Sequence, residues 1–173
     1  METTMTRTNW GRAFGGGIVA GIVAGLVLAA YLVGMNVVDG KDIWLPLKGA
    51  GVPLIGDRAT QPGFDLNAIL VGAGAHFGIS IIWGLLFAML FKGASKLGTV
   101  TLGAVWGIAV WLVMYYLVLP LAGMAHLTKM VPVGQAVLTH VIFGLILGLA
   151  FLPFQRPRGQ REPTLPDRLE PST

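Results

Sequence analysis

Apolar and polar positions are segregated along this chain into four long uncharged runs, separated by two short polar breaks and one long mixed segment. Residues 14–35, 67–91, 99–119 and 133–154 hold no Asp, Glu, Lys or Arg and are built mainly of Leu, Val, Ile, Ala, Gly and aromatic side chains. A helix rises 1.5 Å per residue, so each run is long enough to cross a hydrocarbon core ~30 Å thick. Helices that are apolar all round bury no single stripe and are expected to be surrounded by lipid or protein. The pattern predicts an all-α integral membrane protein, a four-transmembrane-helix bundle forming a single domain over residues 1–155. The first run follows Arg7 and Arg12 as a signal peptide would, but it is too long for an h-region. Leu28-Ala29-Ala30 is also a poor cleavage site, which makes the run an uncleaved anchor.

Charge adds orientation. Arg7 and Arg12 precede the first run, Lys92 and Lys96 join the second to the third, and Arg156, Arg158 and Arg161 follow the fourth. The intervening segments differ: the loop 36–66 mixes Asp39, Asp42, Asp57 and Asp65 with Lys41, Lys48 and Arg58, and the short loop near 123–130 carries Lys129 and His126. Cations on alternate sides predict cytoplasmic N- and C-termini. Residues 156–173 mix Arg with Asp, Glu and four prolines. That composition predicts a disordered cytoplasmic tail with no nucleic-acid partner.

The long outer loop is itself partly apolar. Ile43-Trp44-Leu45-Pro46-Leu47 and Val52-Pro53-Leu54-Ile55 predict a segment lying in the headgroup layer or folded over the outer end of the bundle. Gln61-Pro62-Gly63-Phe64 reads as a turn, with Asp65 or Asn67 capping the second span. Pro120 is expected to end or kink the third span, and Trp10 and Trp44 to join the interfacial belt.

Composition narrows the chemistry. The 173 residues are 54% hydrophobic and only 12% charged, with mean hydropathy +0.73, against about 25% charged in soluble domains. With no cysteine, disulfides, iron–sulfur clusters and thiolate nucleophiles are excluded. The spans contain no ionised side chain of the kind channels and pumps use, and no catalytic triad, phosphate loop or carboxylate pair. An enzyme is not expected.

Small residues recur at helical spacing: Gly17, Gly21 and Gly25; Gly103 and Gly107; Gly144 and Gly148. Such stripes let backbones approach where lipid supplies no hydrophobic push, within one bundle or between copies. Setting His76 over His140 also puts Gly84 over Gly148, Phe87 over Phe151 and Lys92 over Arg156. With Gly17-x-x-x-Gly21 matched to Gly103-x-x-x-Gly107, this points to a duplicated helical hairpin carrying the long outer loop as an insertion.

His76 and His140 each precede their first following cation by sixteen positions, about 24 Å of helix, which places both in the outer part of the bilayer. Several roles are open. Two imidazoles can ligate one haem b axially or help hold a metal, with Gly72, Gly74, Gly78 and Gly144 leaving room for a flat ring. Alternatively, they hydrogen-bond Ser80, Thr139, Gln135 or a carbonyl as polar glue between helices, or serve a proton-linked or ligand-binding role. His126 with His140 and a loop Asp is a weaker metal set, without tight spacing, and an exposed loop histidine is the simpler reading. Trp106 and Trp111 fit either packing or a quinone or pigment pocket.

Asp42-Ile43-Trp44, Gln61-Pro62-Gly63-Phe64-Asp65, His76-Phe77 with Trp83-Gly84-Leu85-Leu86-Phe87, and His140 with Phe143-Gly144 resemble a group of small four-span bacterial inner-membrane proteins, over roughly residues 42–154. That group is a domain of unknown function. The resemblance implies a bacterial inner-membrane setting and transfers no catalytic or binding residue.

The leading expectation is a small non-enzymatic accessory or structural subunit, whose partners are the lipid bilayer and other membrane subunits or a second copy. One alternative is a single-haem b-type cytochrome or respiratory subunit ligated by His76 and His140. Another is a binder or carrier of a small apolar molecule, with the long loop as its lid. A continuous cavity between the helices favours this last reading.

Overall fold

The computed structural model describes residues 10–129 and 131–155. The tail expectation for 156–173, and the flanking charges Arg7, Arg156, Arg158 and Arg161, lie outside these residues. Among the described residues every regular element is helical. Four helices are long and apolar enough to cross a membrane. They are α1 (Trp10–Val38), α4 (Leu66–Phe91), α5 (Lys96–Val113) with its continuation to Leu121, and α7 (Val133–Phe151) with a 3-10 turn to Phe154. Helix α1 thus outruns the expected 14–35 at both ends. Two short helices, α2 (Leu45–Gly49) and α3 (Val52–Ile55), occupy the long loop, and α6 (Leu119–Leu121) closes the third long element.

Helix ends follow local chemistry. Asp65 caps α4 by accepting a hydrogen bond from the Ala68 N–H (3.1 Å), and Ser95 caps α5 through the Gly98 N–H (3.0 Å). Between α4 and α5 the chain turns at Gly93, whose φ of +83° favours glycine. Pro120 lies one residue before the end of the third long element, and its effect extends upstream. Its ring cannot coexist with an ordinary α-turn beneath it. The preceding turn, Met114–Val118, is widened to a π-helix in which the Leu119 N–H reaches Met114 O. The helix ends at Leu121, and the chain turns at Gly123, φ +74°.

The long helices pack as two hairpins, α1 with α4 and α5 with α7, joined through α1 against α7; α4 and α5 touch little. Each hairpin is held by backbone contact across glycines. A Cβ on Gly84 would stand 3.0 Å from Gly21 Cα, and one on Gly144 would stand 2.8 Å from Gly107 Cα. The interior is small and aromatic: Ala20, Ala24, Phe87, Leu147 and Phe151 are fully or almost fully buried. Phe87 and Phe151 meet edge to face at 5.8 Å, and Trp83 meets Trp106 at 5.7 Å. The outward faces are just as apolar, carrying Ile22, Leu26, Leu70, Ile82, Val105, Leu112 and Leu138.

The end opposite the long loop is stapled by polar groups. Gln155 donates to Phe91 O (2.9 Å) and to Thr99 Oγ1 (2.8 Å), and it accepts from the Gly93 N–H (2.6 Å). Arg12 donates to Pro153 O (2.7 Å), and the Lys92 ammonium sits over the Trp10 ring.

The close contacts make a differential prediction. Gly144→Ala forces two backbones apart and is expected to destabilise the fold by about 1–3 kcal/mol. Gly34→Ala adds a methyl where nothing lies within 4 Å, so it should be neutral, or stabilising by up to about 1 kcal/mol through helix propensity. Reversible unfolding in mixed micelles measures both.

Candidate functional site: a capped cavity between the hairpins

The site is built from the loop end downward. At the top, Asp42 organises the cap: its carboxylate accepts the Trp44 N–H (2.9 Å) and the Gly63 N–H, and its carbonyl accepts from Asn36 Nδ2 (2.8 Å). The two backbone N–H groups, with the nearby Lys48 charge, hold the Asp42 carboxyl below the ordinary range. Lys48 is the unexpected member. Its side chain is fully buried, and its ammonium donates to Gln61 O and to Gly63 O (2.8 Å). A charge with no exposure must be matched by oriented dipoles, and here two carbonyls of the Gln61–Gly63 turn supply them. Arg58 grips Asp65 through two hydrogen bonds (2.7 and 3.1 Å). That contact, with the Ala68 N–H, lowers the Asp65 carboxyl to about 2.

The cap rests on α4 because Gly72 has no side chain there: a Cβ would stand 2.7 Å from Lys48 Cα. The apolar loop segments thus fold over the bundle end. Trp44 packs edge-on to Phe64, with centroids 5.0 Å apart.

Below the cap lies a cavity of about 250 Å³. Its roof is Gly49, Ala50 and Pro53 of the cap, and its base reaches Trp83 and Phe143. Helix α4 contributes His76, Ile79 and Ser80; the third long element contributes Val110, Met114, Val118 and Leu119; α1 adds Leu28 and α7 adds His140. Three of these positions lie in or just after the π-helical turn, so the widening at Pro120 shapes one wall. Among the described residues, no Asp, Glu, Lys or Arg lines the cavity.

Both histidines singled out in the sequence reach this cavity, in different states of engagement. His76 Nε2 lies 2.9 Å from Gly25 O on α1, and Ser80 Oγ donates to the His76 carbonyl (2.8 Å). His140 instead turns its Nδ1 onto Ala136 O of its own helix (2.7 Å), and Thr139 Oγ1 lies 3.5 Å from the same nitrogen. A carbonyl only accepts, so the neutral rings carry their protons on His76 Nε2 and His140 Nδ1. Of the hydrogen-bonding partners expected for the pair, backbone carbonyls and Thr139 are used, and Gln135 is not bonded to either ring.

Other expected members sit elsewhere. Gly72 supports the cap, Gly144 packs on α5, and Gly74 and Gly78 face open space, so none of the four makes room for a flat ring between the histidines. Trp106 belongs to the aromatic core and Trp111 packs with Tyr115 and Tyr116; Trp83 is the indole on the cavity wall. His126 is exposed on a 3-10 turn, Ala125–Lys129. Among the described residues, no three His, Asp or Glu side chains converge on a metal position. What sequence reasoning missed was Lys48, for which a signal existed: one cation stands alone within the apolar stretch 43–55.

The cap makes a prediction. Lys48→Met keeps the apolar stem but leaves two carbonyls without their donor, each a loss of about 1–3 kcal/mol if it stays buried. Hydrogen exchange should accelerate across residues 42–65 and little in α5 and α7. The same change at exposed Lys41, which pairs only with Asp39, should leave the loop protected.

No family model, curated protein or solved structure matches this chain.

Proposed function

We propose that this chain is an integral membrane protein of the bacterial inner membrane, with both termini cytoplasmic, that binds a small apolar molecule in the capped cavity. The observation that carries the reading is the cavity itself: about 250 Å³, lined mainly by apolar residues from all four long helices, with His76, His140, Ser80 and Trp83 as its polar-bearing side chains. A concave, mostly apolar space with a few converging polar groups is the usual form of a ligand site. A purely structural subunit needs no such space. The apolar outer faces of the helices support residence in lipid, where polar alternatives to helix–helix contact are absent. The cap of α2 and α3 then lies on the outer side and serves as the lid.

The haem reading is less well supported. The His76 Nε2 proton is directed at Gly25 O rather than at a shared centre. The volume also falls below the roughly 300–1,000 Å³ of drug-sized sites, whereas a porphyrin is larger than most drugs.

We also infer that the two hairpins are duplicates, in a register one turn away from the glycine pairing expected from sequence. A Cβ on Gly21 would meet Ser80, and one on Gly103 would meet Gly144; positions 80 and 144 keep the same offset as His76 and His140. Gly21 therefore corresponds to Gly103, and Gly25 to Gly107. The cavity lies between the two units, where repeat-built membrane proteins commonly bind their ligands.

Two experiments test the proposal. The chain has no cysteine, so single cysteines report sidedness. Thr60→Cys should react with an impermeant maleimide on intact cells and Lys96→Cys only after permeabilisation; the reverse pattern would sink the topology. For binding, protein-loaded nanodiscs dialysed against naphthalene should take up more than empty discs do. Ala75→Phe, which places a ring in the cavity, should abolish the excess while leaving the helical circular dichroism unchanged. Equal uptake by loaded and empty discs would overturn the binding reading.

A further inference from the structure

The two histidines differ in what they leave available. His140 Nδ1 is turned back onto Ala136 O, four residues earlier. Across an imidazole the two nitrogens point in opposite directions, so Nε2 faces away from its own helix, on a ring that lines the cavity. Among the described residues, nothing bonds to that nitrogen. With Nδ1 protonated, Nε2 of the neutral ring is a lone-pair acceptor. The neutral form is the one this wall accommodates, because it carries no carboxylate to stabilise an imidazolium. The other side-chain polar groups at the wall are the Trp83 indole N–H and Ser80 Oγ, and the latter already donates its proton to His76 O.

These features define a complementary ligand. Resting on the binding role proposed above, we propose that the cavity takes an uncharged apolar molecule bearing one hydroxyl, a phenol or alcohol, whose O–H donates to His140 Nε2. A charged group would meet no counter-charge. Size follows from volume. A 150 Å³ apolar cavity holds benzene, so 250 Å³ corresponds by proportion to about ten non-hydrogen atoms.

The test uses the full chain in nanodiscs, with uptake into empty discs subtracted, and three probes of near-equal size: naphthalene, 2-naphthol and 2-methoxynaphthalene. The expected result is that 2-naphthol binds about tenfold more tightly than the other two, the scale of one hydrogen bond made to an otherwise unpaired buried acceptor. In His140→Phe the advantage should vanish while naphthalene binding persists. If that variant fails to fold, the His140 Nε2 nitrogen resonance of the wild-type protein reads the same bond: it should shift with 2-naphthol and not with its methyl ether, and an unmoved resonance overturns the assignment. Equal binding of all three probes overturns the hydroxyl assignment and leaves the binding role intact. Absence of excess uptake for every probe overturns both.

Discussion

Within each hairpin, two helices touch backbone to backbone, and the other features of the molecule depend on that contact. The outward faces of the four long helices are as apolar as the inward ones, so burying one side chain in place of another gains little. Proximity has to supply the attraction, and dispersion between closely approaching main chains falls off steeply with separation. Glycine permits the approach at Gly21, Gly84, Gly103, Gly107, Gly144 and Gly148, where an added Cβ would strike the partner's backbone. The cavity begins where these contacts stop. One turn beyond Gly25 stands Leu28, one turn beyond Gly107 stands Val110, and both line the open space. Closely packed hairpins and an unfilled gap between them are therefore consequences of one glycine pattern.

The roof over that gap depends on a different kind of chemistry. The cap is short, and its two helices are too brief to hold themselves together. What fixes it is the Lys48 ammonium under the Gln61–Gly63 turn, with Asp42 binding the same turn through Gly63 N–H. Cation and carboxylate thus tie the ascending and descending limbs of the loop to each other, and Gly72 lets the assembly sit on α4. A buried charge stabilises such a loop only while its partners stay in register, which makes the cap specific in shape.

Much of the helical architecture was legible in the chain because uncharged runs of this length have few other solutions, and Asp65 and Pro120 announced their local effects by residue type. Two things were not legible. One is which backbone each glycine meets: glycines repeat every turn, so a shift of four residues preserves the spacing, and the structure sets Gly21 against Ser80 and Gly103 against Gly144. The role of Lys48 was hidden because its partners are main-chain carbonyls, which carry no residue identity.

The same reasoning explains why aligned histidines end up doing different things. Facing Gly25 is a serine: the nearest neighbours of a Cβ there are the Ser80 side chain, at 2.8 Å from Oγ, and the Phe77 ring. Ser80 keeps α1 and α4 far enough apart for the His76 ring to bridge to Gly25 O. At the matching level of the second hairpin, position 144 is glycine, and Gly107 lies directly against the His140 backbone, with Val141 Cα 3.0 Å from the site of its Cβ. That spacing leaves no gap for a ring to bridge. His140 finds its acceptor on its own helix, at Ala136 O, which leaves its second nitrogen unbonded on a ring that lines the cavity. A serine at position 80 and a glycine at position 144 thus go with a helix tie at His76 and an acceptor left unbonded at His140.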